Sequence, residues 1–147
     1  MAIRLKNLDL NAPGLKGYAQ VSLGDITATT ERGIFVAPVA CVVDFIDVYT
    51  GQAVNVSASN SVTIMTIRAQ LAAVSGSALV TRGTSANGVS TTNDIQANTR
   101  YRLTPSGNNS LSVGTPLELV FSQQGSGVMS AVMVVTQYTP LVHRETR

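Results

Sequence analysis

The sequence is short of what an enzyme, a metalloprotein or a helical bundle is built from. Charged residues make up 12% of its 147 positions, against about 25% in an ordinary soluble domain. Coiled coils and bundles clothe their outer faces in Glu, Lys and Arg, so this shortage argues against both. The chain has no Trp, one Cys and one His. Cys41 cannot close a disulfide within the chain, and one Cys with one His cannot close a zinc site. His143 stands in a polar tail, without the partner and carboxylate on rigid elements that a general base requires. Cys41 lies in a Val-rich run and reads as a small buried hydrophobe, not an activated nucleophile. The absence of Trp counts against the aromatic platform of a sugar-binding site.

Other absences narrow the class further. No apolar run approaches the ~20 residues of a membrane span, and the N-terminus carries basic residues without the apolar stretch of a secretion signal. The expectation is a product made in the cytoplasm, with no membrane partner. Ten Lys and Arg stand against eight acids, a net charge of +2, and they are scattered. A nucleic-acid footprint needs a clustered patch or stripe, and the triplet Arg100-Tyr101-Arg102 is too small to supply one. Those arginines read as residues of an exposed strand face, paired with acids on a neighbour. Asp44 and Asp47 are the one close carboxylate pair, and they read as solvated strand charges without companion calcium ligands. Gly125-Ser126-Gly127 lacks the third glycine and following helix of a phosphate cradle. The Asn55 and Asn108 glycosylation patterns carry no weight without a secretion signal. The expected catalytic, cofactor-binding and metal-ligating sets are therefore empty.

What the chain does have is Ser and Thr at 30 positions and Val at 19, a composition of strands and turns. Extended segments are expected at 17–24, 33–37, 40–49, 60–70, 78–82, 100–104, 116–122 and 128–138. Turn chemistry separates them, the strongest being Asn87-Gly88 inside a long polar loop at 83–99. Eight strands with no helix and no internal repeat predict a single all-β domain, a sandwich or barrel. The segment 40–49 breaks the two-residue period. A bulge near Asp44–Ile46 would gather Val43, Ile46 and Val48 on one face and leave both aspartates outward. In 116–122, Leu117, Leu119 and Phe121 share a face opposite Glu118.

Two features point outward from the domain. Residues 1–16 read as an arm in which Ile3, Leu5, Leu8 and Leu10 are spaced by polar residues, ended by the turn residues Asn11-Ala12-Pro13-Gly14. It is either a first edge strand of its own domain or a segment that crosses to a neighbour. The last strand is apolar on both sides, with Met129, Ala131, Met133 and Val135 on one and Val128, Val132, Val134 and Tyr138 on the other. A strand with one wet face alternates apolar and polar, so a second apolar face needs a cover. Loops or the N-terminal arm of the same chain are one cover and a subunit interface is the other, with Met129, Val132, Val134 and Tyr138, or their opposite face, expected at the contact.

The strand sequences Phe35-Val36-Ala37-Pro38 and Ala40-Cys41-Val42-Val43, followed by Ser61-Val62-Thr63-Ile64, Gly114 to Leu119 and Ala131 to Pro140, resemble small jelly-roll proteins of tailed-bacteriophage particles. These are the capsid decoration, or cement, proteins and modules of head and tail fibres. The resemblance spans roughly residues 30–140 and is one of strand pattern. It implies an eight-stranded jelly-roll β-sandwich over 17–140, with the N-terminal arm at 1–16 and a C-terminal tail at 141–147. It further implies a homotrimer on the outer surface of an assembled shell, partnered by the major capsid protein, with Ile3, Leu5, Leu8 and Leu10 as the capsid-engaging arm. The alternative within the same group is a receptor- or glycan-binding fibre module using the loops at 50–60, 83–99 and 105–110. A small major coat protein would need a basic arm for packaged genome, and Arg4 and Lys6 are too few.

Overall fold

Runs of Val, Ile, Thr and aromatic residues form strands because branched side chains pack well on a pleated, half-buried surface. The computed structural model describes residues 15–53, 61–69, 72–73, 80–82, 95–105, 107–124 and 128–141, with side chains described in 15–53, 95–105, 107–121 and 128–141. Its ten strands are β1 (Gly17–Ile26), β2 (Thr30–Val36), β3 (Cys41–Tyr49), β4 (Ser61–Ala69), β5 (Ala72–Ala73), β6 (Val80–Arg82), β7 (Tyr101–Leu103), β8 (Ser110–Leu111), β9 (Pro116–Gln124) and β10 (Met129–Pro140). Every ladder is antiparallel. The fold is all-β, as the composition required.

Two sheets face each other. One runs β1-β10-β3-β7 with β8 also on β3, and the other runs β2-β9-β4-β5 with β6 also on β4. The strands exceed the expected eight because two rows are broken. β7 pairs with Ile46–Val48 while β8 pairs with Cys41–Val42. In the same way, β5 and β6 pair with opposite ends of β4. The short pieces β5 and β8 carry no sequence signal of their own.

The core lies between the sheets. Cys41, Val43, Ile46 and Val48 of β3 meet Leu117, Leu119 and Phe121 of β9, with Ile34 and Phe35 of β2 closing one side and Tyr101 and Leu103 another. The expected bulge is present: Gln137 pairs with Phe45 and Tyr138 with Val43, so Asp44 is an extra residue in β3. That single insertion puts Val43 and Ile46 on the inside together. Against the middle of the core, the Phe35 and Tyr138 rings lie 5.0 Å apart, tilted by 38°. Tyr138 also lies flat over Gly17, where a methyl group would intrude into its ring, so the glycine permits the close approach.

The faces of the last strand require correction. Met129, Val132, Val134 and Tyr138, expected at a subunit contact, are buried inside this chain's own sandwich. The second sheet covers them, so they offer nothing to another copy. Met129 joins this face because two residues of β10, Ser130 and Ala131, stand opposite the single Asp25 of β1. Ala131 takes a left-handed φ of 49° at the bulge, and its N–H donates to Asp25 Oδ1 at 2.9 Å. Without that bulge, Met129 would share a face with Met133, as strict alternation predicts. The arm residues Ile3, Leu5, Leu8 and Leu10 lie outside the described residues, as do the tail from 142 and most of the loop at 83–99.

Burial of Cys41 has a titration consequence. Removal from water, and secondarily the charge of Asp44, push its thiol from 9.0 up to about 11. The folded chain therefore holds the proton more tightly than the unfolded chain. The stabilisation is complete below pH 9 and is lost as pH rises through 11, a swing on the order of 2 kcal/mol. Urea midpoints measured at pH 8 and pH 10.5 should accordingly differ more for the natural chain than for Cys41→Ala. An equal difference in the two would show that Cys41 does not carry this dependence.

Candidate functional site

The surface with the most distinctive chemistry is the outer face of the β1-β10-β3-β7 sheet. Strand register assembles it in rows. Tyr18, Gln137 and Phe45 align across three strands; Gln20, Val135, Asp47 and Arg102 align across four; Ser22, Met133 and Tyr49 form a third row. Each of these residues alternates with an inward-facing neighbour, so the face follows from the same two-residue period that fills the core. Tyr18 is 63% exposed and Met133 38%, while Phe45, Val135 and Tyr49 are half-buried. Three of the chain's seven Phe and Tyr residues stand here.

Two carboxylates of this face are paired with cations within it. Arg102 reaches across from β7 and donates from Nε to Asp47 Oδ1 at 2.7 Å and from Nη2 to Oδ2 at 2.8 Å. Its guanidinium lies 3.5 Å from the centre of the Phe45 ring. This two-pronged geometry suits a planar guanidinium and a carboxylate. The hydrogen bonds to Asp47 hold the Arg102 pKa above its usual value, against a smaller opposing effect of desolvation. Asp47 points outward yet is only 4% exposed, because the guanidinium covers it. At the strand ends, Lys16 Nζ lies 3.0 Å from Asp44 Oδ2 and donates to Thr139 Oγ1 at 2.6 Å. Thr139 Oγ1 in turn donates to Asp44 Oδ2 at 2.8 Å.

Both aspartates thus sit where the bulge was expected to place them, and each carboxylate is occupied by a cation from an adjacent strand. Among the described residues, no group of three or more His, Cys, Asp or Glu could hold a metal ion. The sequence pointed to Arg102 pairing with an acid but gave no sign of the ring beneath it. Phe45 and Arg102 meet only because β7 docks beside β3 across a separation of 57 positions. Neutral polar groups link the rest of the face: Gln137 Nε2 donates to the Tyr18 hydroxyl, and Gln20 Nε2 lies 2.8 Å from Met133 Sδ. A face of aromatic rings, Met, Val and Arg, with Asp44 and Asp47 each paired to a cation, has the composition of an interface core. It offers shape and apolar area to another surface.

No family model matches the chain, and no curated protein does. Among solved structures, a chain in "Structure of infectious bursal disease virus Gx strain" is similar at 13% identity and a TM-score of 0.26. The match covers 90% of this chain and 38% of that one. A likeness of that degree carries no functional argument, and the reading of the chain rests on its own residues.

Proposed function

We propose that the chain is a virion structural protein. It decorates the outer surface of an assembled phage shell and stabilises it by non-covalent clamping, as a homotrimer whose partner is the major capsid protein. The observation that carries this reading is the outer sheet face, where Tyr18 and Met133 are exposed and Phe45, Tyr49 and Val135 half-buried beside internally paired charges. This face, not the buried side of β10, is the one that supports contact with another molecule. Strand order supports the architecture: with β5/β6 and β7/β8 each taken as one broken row, the four rows of each sheet follow a jelly roll's two interlocked Greek keys. Several copies held together turn a modest contact with the shell into one that does not release, because each later contact is intramolecular.

The test mixes purified chain with undecorated heads and measures bound mass by sedimentation. The full chain should bind to saturation. Deletion of residues 1–16 should abolish binding while the far-ultraviolet β-spectrum is retained. A truncated chain that decorates normally would overturn the clamping role of the arm. A full chain that stays monomeric by light scattering and ignores shells would overturn the decoration reading as a whole.

A further inference from the structure

The edges of the two sheets are treated unequally. An exposed edge strand presents unpaired N–H and C=O groups, and natural proteins protect such edges with charge, bulges or brevity. Three of the four edges here have that protection. The row of β5 and β6 and the row of β7 and β8 consist of pieces of two or three residues. β2 carries exposed Glu31 and Arg32 and a register break between Gly33 and Phe35. β1 differs. It is ten residues long, it pairs with β10 alone among the described residues, and from Gly17 to Gly24 it has no charged side chain. Its ladder is regular from Gly17 to Ser22 before the shifts at Gly24 begin.

The same strand is under-covered on its inner side. Ala19, Val21 and Leu23 pack against the core but remain only partly buried, whereas Val132, Val134 and Thr136 of the adjoining β10 are fully buried. A ladder that no described residue pairs and a half-covered apolar row along one margin together fit an added strand.

We infer that the free edge of β1 is completed by the N-terminal arm of a second copy of this chain, residues 1–10 pairing with residues 17–22. This deepens the decoration reading, on which it rests for an arm that engages another molecule. Fourteen residues precede Leu15, and extended chain spans about 3.3–3.6 Å per residue, so the arm reaches roughly 45–50 Å. The regular part of β1 needs about 20 Å of partner. The arm's apolar residues come in pairs two apart, Ile3 with Leu5 and Leu8 with Leu10, and either pair would cap the inner row. The arm of the same chain fits worse. A hairpin closed by Asn11–Gly14 sets Leu10 opposite Leu15, which places Lys6 opposite Ala19 and Arg4 opposite Val21, charges onto the apolar row. An arm arriving from another copy is free of that register.

The experiment places a photoreactive phenylalanine analogue at position 5 of the full chain and mixes it with ¹⁵N-labelled natural chain. Irradiation should give mixed-isotope adducts within residues 17–22. In parallel, amide exchange at 17–22 should be at least about tenfold slower in the natural chain than in Leu5→Pro or Leu8→Pro, and the proline variants should fall to lower mass by light scattering. Prolines in the arm leave the sandwich itself untouched. Adducts confined to single-isotope chains, or located away from β1, would overturn the inference, as would proline variants that keep full mass and full protection at 17–22. The two readings fail separately. Single-isotope or off-β1 adducts in a chain that still decorates heads sink the exchange of arms alone, and mixed adducts in a chain that ignores shells sink decoration alone.

Discussion

Val134→Asp unfolds the chain at neutral pH, while Met133→Asp, one position earlier on the same strand, leaves it folded. Val134 is fully buried between the sheets, and Met133 is 38% exposed on the outer face. A carboxylate at 134 would replace an apolar side chain flanked by Val21 of β1 and Val48 of β3, with no cation among the described core residues to pair with it. Burying an unpaired charge costs several kcal/mol even after relaxation. A domain of this size has about 5–15 kcal/mol in total. The expected result is loss of the cooperative urea transition, or a midpoint near zero denaturant. At 133 the new carboxylate reaches water, and the stability change should stay within about 0.5–1 kcal/mol. Its effect should fall on association, because it adds an unpaired charge to the outer face. Equal stabilities for the two variants would overturn the facing assigned to β10, and a Met133→Asp that unfolds beside a folded Val134→Asp would mean that its faces are the other way round.

This pair of variants also marks how far the sequence could be read. The eight main strands, the bulge at Asp44 and the facing of Leu117, Leu119 and Phe121 were legible because each leaves a local trace in side-chain period and turn residues. The facing of Met129 was not. It depends on the bulge at Ser130–Ala131, where the residue in the left-handed region is an Ala, not the Gly or Asn that would announce it. A one-residue slip reverses every side chain beyond it, which is why Met129 lines the buried face; which of the two apolar faces from Val132 to Tyr138 turns inward leaves no local trace at all. Asn98 and Asn108 take the same backbone region with φ of 55° and 54°, and there the residue type does advertise the turn. The outer face was legible only in fragments. Arg102 and Asp47 lie on strands far apart in the chain, and the ring that supports their pairing enters from a third position.

That pairing leads to the other large expected effect, and the effect is asymmetric. Arg102→Ala should lower the urea midpoint more than Asp47→Ala does, because Asp47 loses both of its short hydrogen bonds and regains only the water that enters where the guanidinium lay. The cation over Phe45 goes with them, and its attraction to the ring face is lost too. Asp47→Ala should cost less, about 1 kcal/mol, because the Arg102 side chain is 37% exposed and can return its charge to water. The double variant should therefore be more stable than Arg102→Ala alone, since no carboxylate then remains to be left without a partner. Urea unfolding of the four chains in a double-mutant cycle reads this directly. Equal costs for the two single variants, with simple additivity in the double, would mean that Asp47 is as well hydrated as Arg102 and that the guanidinium does not cover it.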